Sequence, residues 1–228
     1  MHYVAVRLEI PMLKMYLDLD IPWGMPVPLF VREALPAIVR KKRDASAARR
    51  LKPEELQLGK KIFGRLVPIL THTLRGAGVY DGNVLIVKPH RFSRDPYRYY
   101  LEEVLSETED ESVPLSVGER IYLSLDKIVL GRHDYERQRL VDVDLQHFRY
   151  GKRASRRHAL IEYRGGNFYV TDLGSTNGTY IDQVRLSPKR RHPLSPGMHV
   201  SFGGRLRFIF REGSSQERGN EEAAPPDA

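Results

Sequence analysis

The chain has 228 residues, no cysteine, 37 basic against 29 acidic side chains and a formal net charge of +8. That length suits one large domain or two small ones, and the missing cysteine excludes a disulfide framework, thiolate catalysis and any Cys-containing zinc finger. The longest apolar runs are about five residues, far short of the ~20 a membrane helix needs. No basic stretch followed by an apolar core opens the chain, so a soluble, cytoplasmic protein without membrane insertion is expected. Residues 1–90 and 117–212 are net basic, while 91–116 and 213–228 are net acidic. Basic modules favour anionic partners without naming the anion.

Residues 3–10 and 14–21 both alternate with period two, as half-buried strands do, and the three residues between them suit a hairpin. Pro26 and Pro28 precede a helical face formed by Val31, Leu35, Ile38 and Val39. Pro36 lies inside that face and predicts a kink. Residues 51–61 are polar and leave the middle strand unplaced. A turn at Val79-Tyr80-Asp81-Gly82-Asn83 leads into a strand over Val84-Leu85-Ile86-Val87. Hairpin, helix and late strand follow a β-grasp order.

On these residues, with Leu35-Pro36, Thr73-Leu74 and Gly78 to Leu85, the first module resembles the ubiquitin-like YukD/EsaB-like proteins of bacterial type VII secretion. The resemblance implies an α+β β-grasp domain over residues 1–89 that docks on a secretion-system component. The polar insertion at 51–61 departs from compact members. Val87-Lys88-Pro89 runs on into the next segment, so no free Gly-Gly terminus is expected for conjugation.

Residues 90–116 read as an acidic linker, with a helical turn expected around Tyr97–Leu105. Thr108, inside Ser106-Glu107-Thr108-Glu109-Asp110-Glu111, is a candidate phosphorylation site. Residues 117–212 have an all-β texture. Short runs at 120–125, 128–130, 141–145, 158–163, 167–173, 179–181, 199–202 and 206–210 are separated by turn signals and predict a β-sandwich. Residues 213–228 lack apolar periodicity and read as a disordered acidic tail.

Three short pieces stand out at strand ends: Gly131-Arg132, Ser155-Arg156-Arg157-His158-Ala159, and Asp172-Leu173-Gly174-Ser175-Thr176-Asn177-Gly178-Thr179. Singly, each has a plain explanation; Asn177-Gly178, for instance, is a good hairpin turn. Together they supply what a loop-borne phosphate site requires. Arginine offers a planar fork for phosphate oxygens, serine adds a hydroxyl donor, and an asparagine amide can bond both edges of an extended peptide.

Their order and spacing, with the trailing Leu194, Pro196-Gly197, Val200 and Phe202-Gly203, resemble the forkhead-associated (FHA) domain. That resemblance implies an eleven-stranded all-β sandwich of the SMAD/FHA type that binds phosphothreonine peptides. Carried over residue by residue, Arg132 and Ser155 would hold phosphate, and Arg156 would contact phosphate or peptide backbone. Thr176 would line the threonine methyl, and Asn177 would hold the peptide main chain. Gly131, His158, Ser175 and Gly178 would support the site.

No phosphate-binding Gly-x-x-x-x-Gly-Lys loop and no His-Glu-x-x-His metal motif is present. The expectation is a non-enzymatic phosphothreonine-reading adaptor without cofactor or metal, acting in bacterial Ser/Thr-kinase signalling. The competing readings are a basic nucleic-acid-binding protein and a phosphate-independent scaffold. No helix-turn-helix or RNA-recognition motif supports specific nucleic-acid binding.

Overall fold

The computed structural model describes residues 2–43, 45–104 and 118–213. Strands β1 (Tyr3–Ile10) and β2 (Met15–Pro22) pair antiparallel with Leu8 opposite Leu17. The period-two pattern works as the sequence predicts: Val4, Val6, Leu8 and Ile10 are buried, and the residues between them face outward. A short 3-10 turn at Pro11–Leu13 joins the strands and closes on Lys14 in the left-handed region.

The helical face follows in three parts: α1 (Val27–Leu29), a π turn (Phe30–Ala34) and α2 (Leu35–Lys42). Phe30, Val31, Leu35 and Val39 are buried against the sheet. Just ahead of Pro36, where the sequence predicts a kink, the helix makes a π turn. The Leu35 N–H reaches back to the Phe30 carbonyl, and Pro36 falls in the first turn of the resumed α-helix. A missing N–H is tolerated there. A short helix α3 (Ala45–Arg49) follows.

The polar stretch that the sequence leaves unplaced contains β3 (Leu56–Ile62). It pairs with β4 (Arg65–Pro68) and with β5 (Val84–Pro89), giving a sheet ordered β2-β1-β5-β3-β4. Within it, β1 runs parallel to β5. Gln57 and Lys60 of β3 are buried, so the strand carries no clean apolar alternation.

The second half holds β6 (Tyr99–Glu103), β7 (Arg120–Tyr122), β8 (Lys127–Gly131) and β9 (Val143–Asp144). Then come β10 (Ala159–Arg164), β11 (Asn167–Asp172), β12 (Thr179–Ile181) and β13 (Val184–Arg185). The last three are β14 (Arg191–Leu194), β15 (His199–Phe202) and β16 (Leu206–Glu212). They form two sheets, β14-β11-β10-β8-β9 and β13-β12-β15-β16-β6-β7. Leu101, Ile128, Leu130, Ile161, Val170, Phe202, Phe208 and Phe210 fill the space between.

One expectation is overturned here. The turn expected around 97–105 is instead strand β6 over Tyr99–Glu103, so the sandwich reaches into the stretch read as linker. Leu101 lies opposite Phe210 and is fully buried, while Glu102 makes ion pairs with Arg120 and Arg211. Of the acidic letters that suggested solvation, Glu102 is partnered across the sheet. Thr108 and the tail from residue 214 lie outside the described residues.

The two halves share a seam. The His72 amide donates to the Arg120 carbonyl at 2.7 Å and the Tyr122 amide to the Leu70 carbonyl at 2.6 Å. Leu70 itself packs into the second core. Thr73 donates its amide (2.9 Å) and hydroxyl (2.7 Å) to the Glu119 carboxylate. Lys60 Nζ donates to the carbonyls of Ala77 and Gly78 at 2.8 and 2.7 Å. The Gly78 backbone (φ 60°) lies so close to His147 that an added Cβ would sit 2.1 Å from its Nε2. Among the described residues, no helix is long and apolar enough to cross a membrane.

Candidate functional site

The three sequence motifs meet at one end of the sandwich. Strand β8 ends at Gly131, whose place only glycine can fill: an added Cβ would lie 2.3 Å from the Arg156 carbonyl oxygen. The chain then turns, and the Arg132 amide donates to the carbonyls of Ser155 (3.1 Å) and Arg156 (3.2 Å). Arg132 Nε donates to the Ala154 carbonyl at 2.7 Å. That bond fixes one edge of the guanidinium and leaves its terminal nitrogens for an anion.

Ser155 and the loop after β11 are joined directly. Ser155 Oγ accepts the Thr176 amide at 3.0 Å and lies 3.4 Å from Thr176 Oγ1. Thr176 is exposed. Arg156 and Arg157 are exposed beside Ser155, and Arg156 Nε lies 3.3 Å from the buried carboxylate of Asp134. Asn177 Nδ2 donates to the Arg153 carbonyl at 2.9 Å, so half its amide is already used in tying its loop to the Gly151–Arg153 turn. Arg153 in turn donates from Nε to the Gly203 carbonyl at 3.1 Å, which makes it a brace as well as a surface charge.

His158 is fully buried and sits behind this surface. Its Nδ1 accepts the Ser155 amide at 2.9 Å, so Nε2 carries the proton and donates to the Gly178 carbonyl at 3.1 Å. Burial lowers its pKa, only partly offset by that carbonyl. A neutral imidazole thus ties the Ser155 loop to Gly178, which has φ 82° and also accepts the Gly203 amide.

Asp172 and Thr179 are the supports that motif reading leaves without a role. Asp172 Oδ1 accepts the amides of Gly174 (2.8 Å) and Ser175 (2.9 Å). Its Oδ2 accepts the hydroxyls of Ser175 and Thr179, each at 2.6 Å. Burial would raise this carboxyl, but the bonds from Ser175, Thr179 and Gly174 together hold it below the usual carboxylate range. The signal was present in the sequence: an aspartate two and three residues ahead of Gly174 and Ser175 is an Asx-turn pattern. The result is a cationic loop surface that carries Arg132, Ser155, Arg156, Thr176 and Asn177 over a bonded frame.

Residues 128–203 match the family model described as FHA domain. This part of the chain is an FHA domain, and all of the loop residues named above fall within the match. Similar proteins include FraH of a Nostoc species, 45% identical over 72 residues, covering 31% of this chain and 25% of that protein. FhaB of Mycobacterium tuberculosis is 37% identical over 83 residues, covering 36% of this chain and 48% of FhaB. The chain thus spans a quarter to about half the length of these relatives. Among solved structures, Mycobacterium tuberculosis EmbR in complex with a low affinity phosphopeptide is 23% identical, with a TM-score of 0.39, covering 52% of this chain and 25% of that one.

Proposed function

We propose that this chain is a non-enzymatic adaptor whose FHA domain binds a phosphothreonine-containing protein in bacterial Ser/Thr-kinase signalling. FHA domains bind phosphothreonine peptides, and this one keeps the residue types that chemistry needs. The carrying observation is the pinned Arg132 beside the Ser155–Thr176 junction, which sets a guanidinium fork, a hydroxyl and a backbone turn around one point. A phosphate carries about −1.5 to −2 charges at neutral pH, which this cationic surface suits. Asn177 is assigned to the peptide main chain and Thr176 to the threonine methyl. Gly131, His158, Ser175 and Gly178 support the loops, joined by Asp172 and Thr179. The site calls for no cofactor.

For the first half, the sheet order β2-β1-β5-β3-β4 with a helix after the opening hairpin supports a ubiquitin-like β-grasp. Its proposed role is to dock the adaptor on a second component, with a type VII-like secretion system as the candidate. The working location is cytoplasmic. The test is titration of a degenerate phosphothreonine library and its dephosphorylated counterpart against wild type and Arg132→Ala. Phosphate-dependent binding lost at least tenfold in Arg132→Ala is expected, since charge-assisted bonds of this kind contribute about 1.5–3 kcal/mol each. Equal binding by the two proteins overturns the assignment.

A further inference from the structure

The β3–β4 hairpin closes in a two-residue turn, Phe63-Gly64, with φ values of 48° and 76°. Two successive positive φ values mark a type I′ turn, whose first position favours Asn, Asp or Gly. A bulky aromatic there is a backbone outlier, and such outliers persist where something else holds them. Phe63 nevertheless occupies it, and its side chain is not used to fill a core: the residue is 49% exposed. Its ring meets Tyr135 edge-to-face, with centroids 6.1 Å apart.

Tyr135 belongs to the FHA half, three residues after Arg132, and is itself 45% exposed. It packs edge-on against His133 at 5.5 Å. The residue before it, Asp134, is buried and faces Arg156. The aromatic pair is therefore joined along the backbone to Arg132 and, through Asp134, to the arginine next to Ser155. Three residues of chain span at most about 10 Å. An extended peptide held at Arg132 covers that distance in about three residues.

We infer that Phe63 and Tyr135 form a recognition ledge, built jointly by the two halves of the chain, for a large apolar side chain within about three residues of the phosphothreonine. The inference rests on the phosphothreonine reading above. The occupant is a segment of a phosphorylated partner with an aromatic or long aliphatic residue: arginines hold its phosphate and the exposed rings cover its apolar neighbour. The ledge makes the first half a specificity element of the FHA site as well as a docking module.

The variants are Phe63→Asn and Tyr135→Ser in the full chain. Asparagine suits the positive φ of the turn, so Phe63→Asn removes the ring without straining the hairpin. An oriented phosphothreonine library on wild type should enrich Phe, Tyr, Leu or Met at one position within three residues of the phosphate. Each variant should then weaken the selected peptide by about three- to tenfold, the scale of one aromatic contact, and leave its alanine-substituted counterpart unchanged. The melting temperature of Phe63→Asn should be held or raised, which separates lost recognition from lost folding. No apolar preference in wild type, or equal losses on both peptides, overturns the ledge while Arg132-dependent binding upholds the phosphothreonine reading. Phosphate-independent binding throughout overturns both.

Discussion

Four short hydrogen bonds converge on the carboxylate of Asp172, from two amides and two hydroxyls of the loop that presents Thr176 and Asn177. Leaving buried donors unpaired costs about 1–3 kcal/mol each, reduced where water can reach them. Asp172→Ala is therefore expected to lose on the order of 3 kcal/mol of stability and to weaken phosphopeptide binding with Arg132 untouched. Chemical denaturation paired with peptide titration checks both; an unchanged denaturation midpoint would mean that the loop holds itself. His158 acts on the same loop from the other side. Its role is a bridge between the Ser155 amide and the Gly178 carbonyl, which a neutral ring performs best.

At the scale of elements, β6 lies between β16 and β7 in the six-stranded sheet. Its acidic letters and short length hide it, because Glu102 is balanced only by Arg120 and Arg211 from neighbouring strands. A fragment beginning at residue 117 removes β6, leaves the β16 edge unpaired and uncovers Phe210. It should aggregate or melt without a cooperative transition, while a fragment of residues 91–213 should melt cooperatively. Circular dichroism melts of the two fragments decide the matter; matching transitions would mean that β6 contributes little. The π turn ahead of Pro36 is a second local adjustment. It lets a helix carry a proline on its core-facing segment without losing a bond in mid-helix.

For the whole molecule, the seam joins the two halves through Leu70, His72–Arg120 and Thr73–Glu119. Burial pushes the Glu103 carboxyl up to about 7, with the Glu119 charge adding to it against the Glu119 backbone bond. Burial also raises Glu119, despite its bonds from Thr73. A folded carboxyl that titrates above its unfolded value binds more protons in the folded state between the two values. Stability should therefore rise as pH falls from about 7 towards the unfolded value of 4.5. Glu103→Gln should flatten that part of the profile. Denaturation midpoints of wild type and Glu103→Gln across this window test it, and parallel profiles would count against a raised Glu103. The charge change at this seam should also leave phosphate affinity intact, since Glu103 is not among the loop residues around Arg132.

What the sequence determined by itself is local: the period-two hairpin, the apolar helical face, and the three loop motifs in their order. Turn chemistry and side-chain alternation are written in neighbouring residues, so they can be read without partners. Arg132, Ser155, Arg156, Thr176 and Asn177 were legible for that reason, and the structure gathers them at one end of the sandwich. Tertiary structure alone decided that residues 56–62 and 99–103 are strands, that Arg153 braces the site, and that Phe63 reaches Tyr135. In those cases a polar or exposed residue takes its role from a partner far along the chain. Lys60 is buried because residues 77–78 fold over it, and Leu101 because Phe210 lies across from it. Such burial follows from packing between distant segments, and a single stretch of sequence does not carry it.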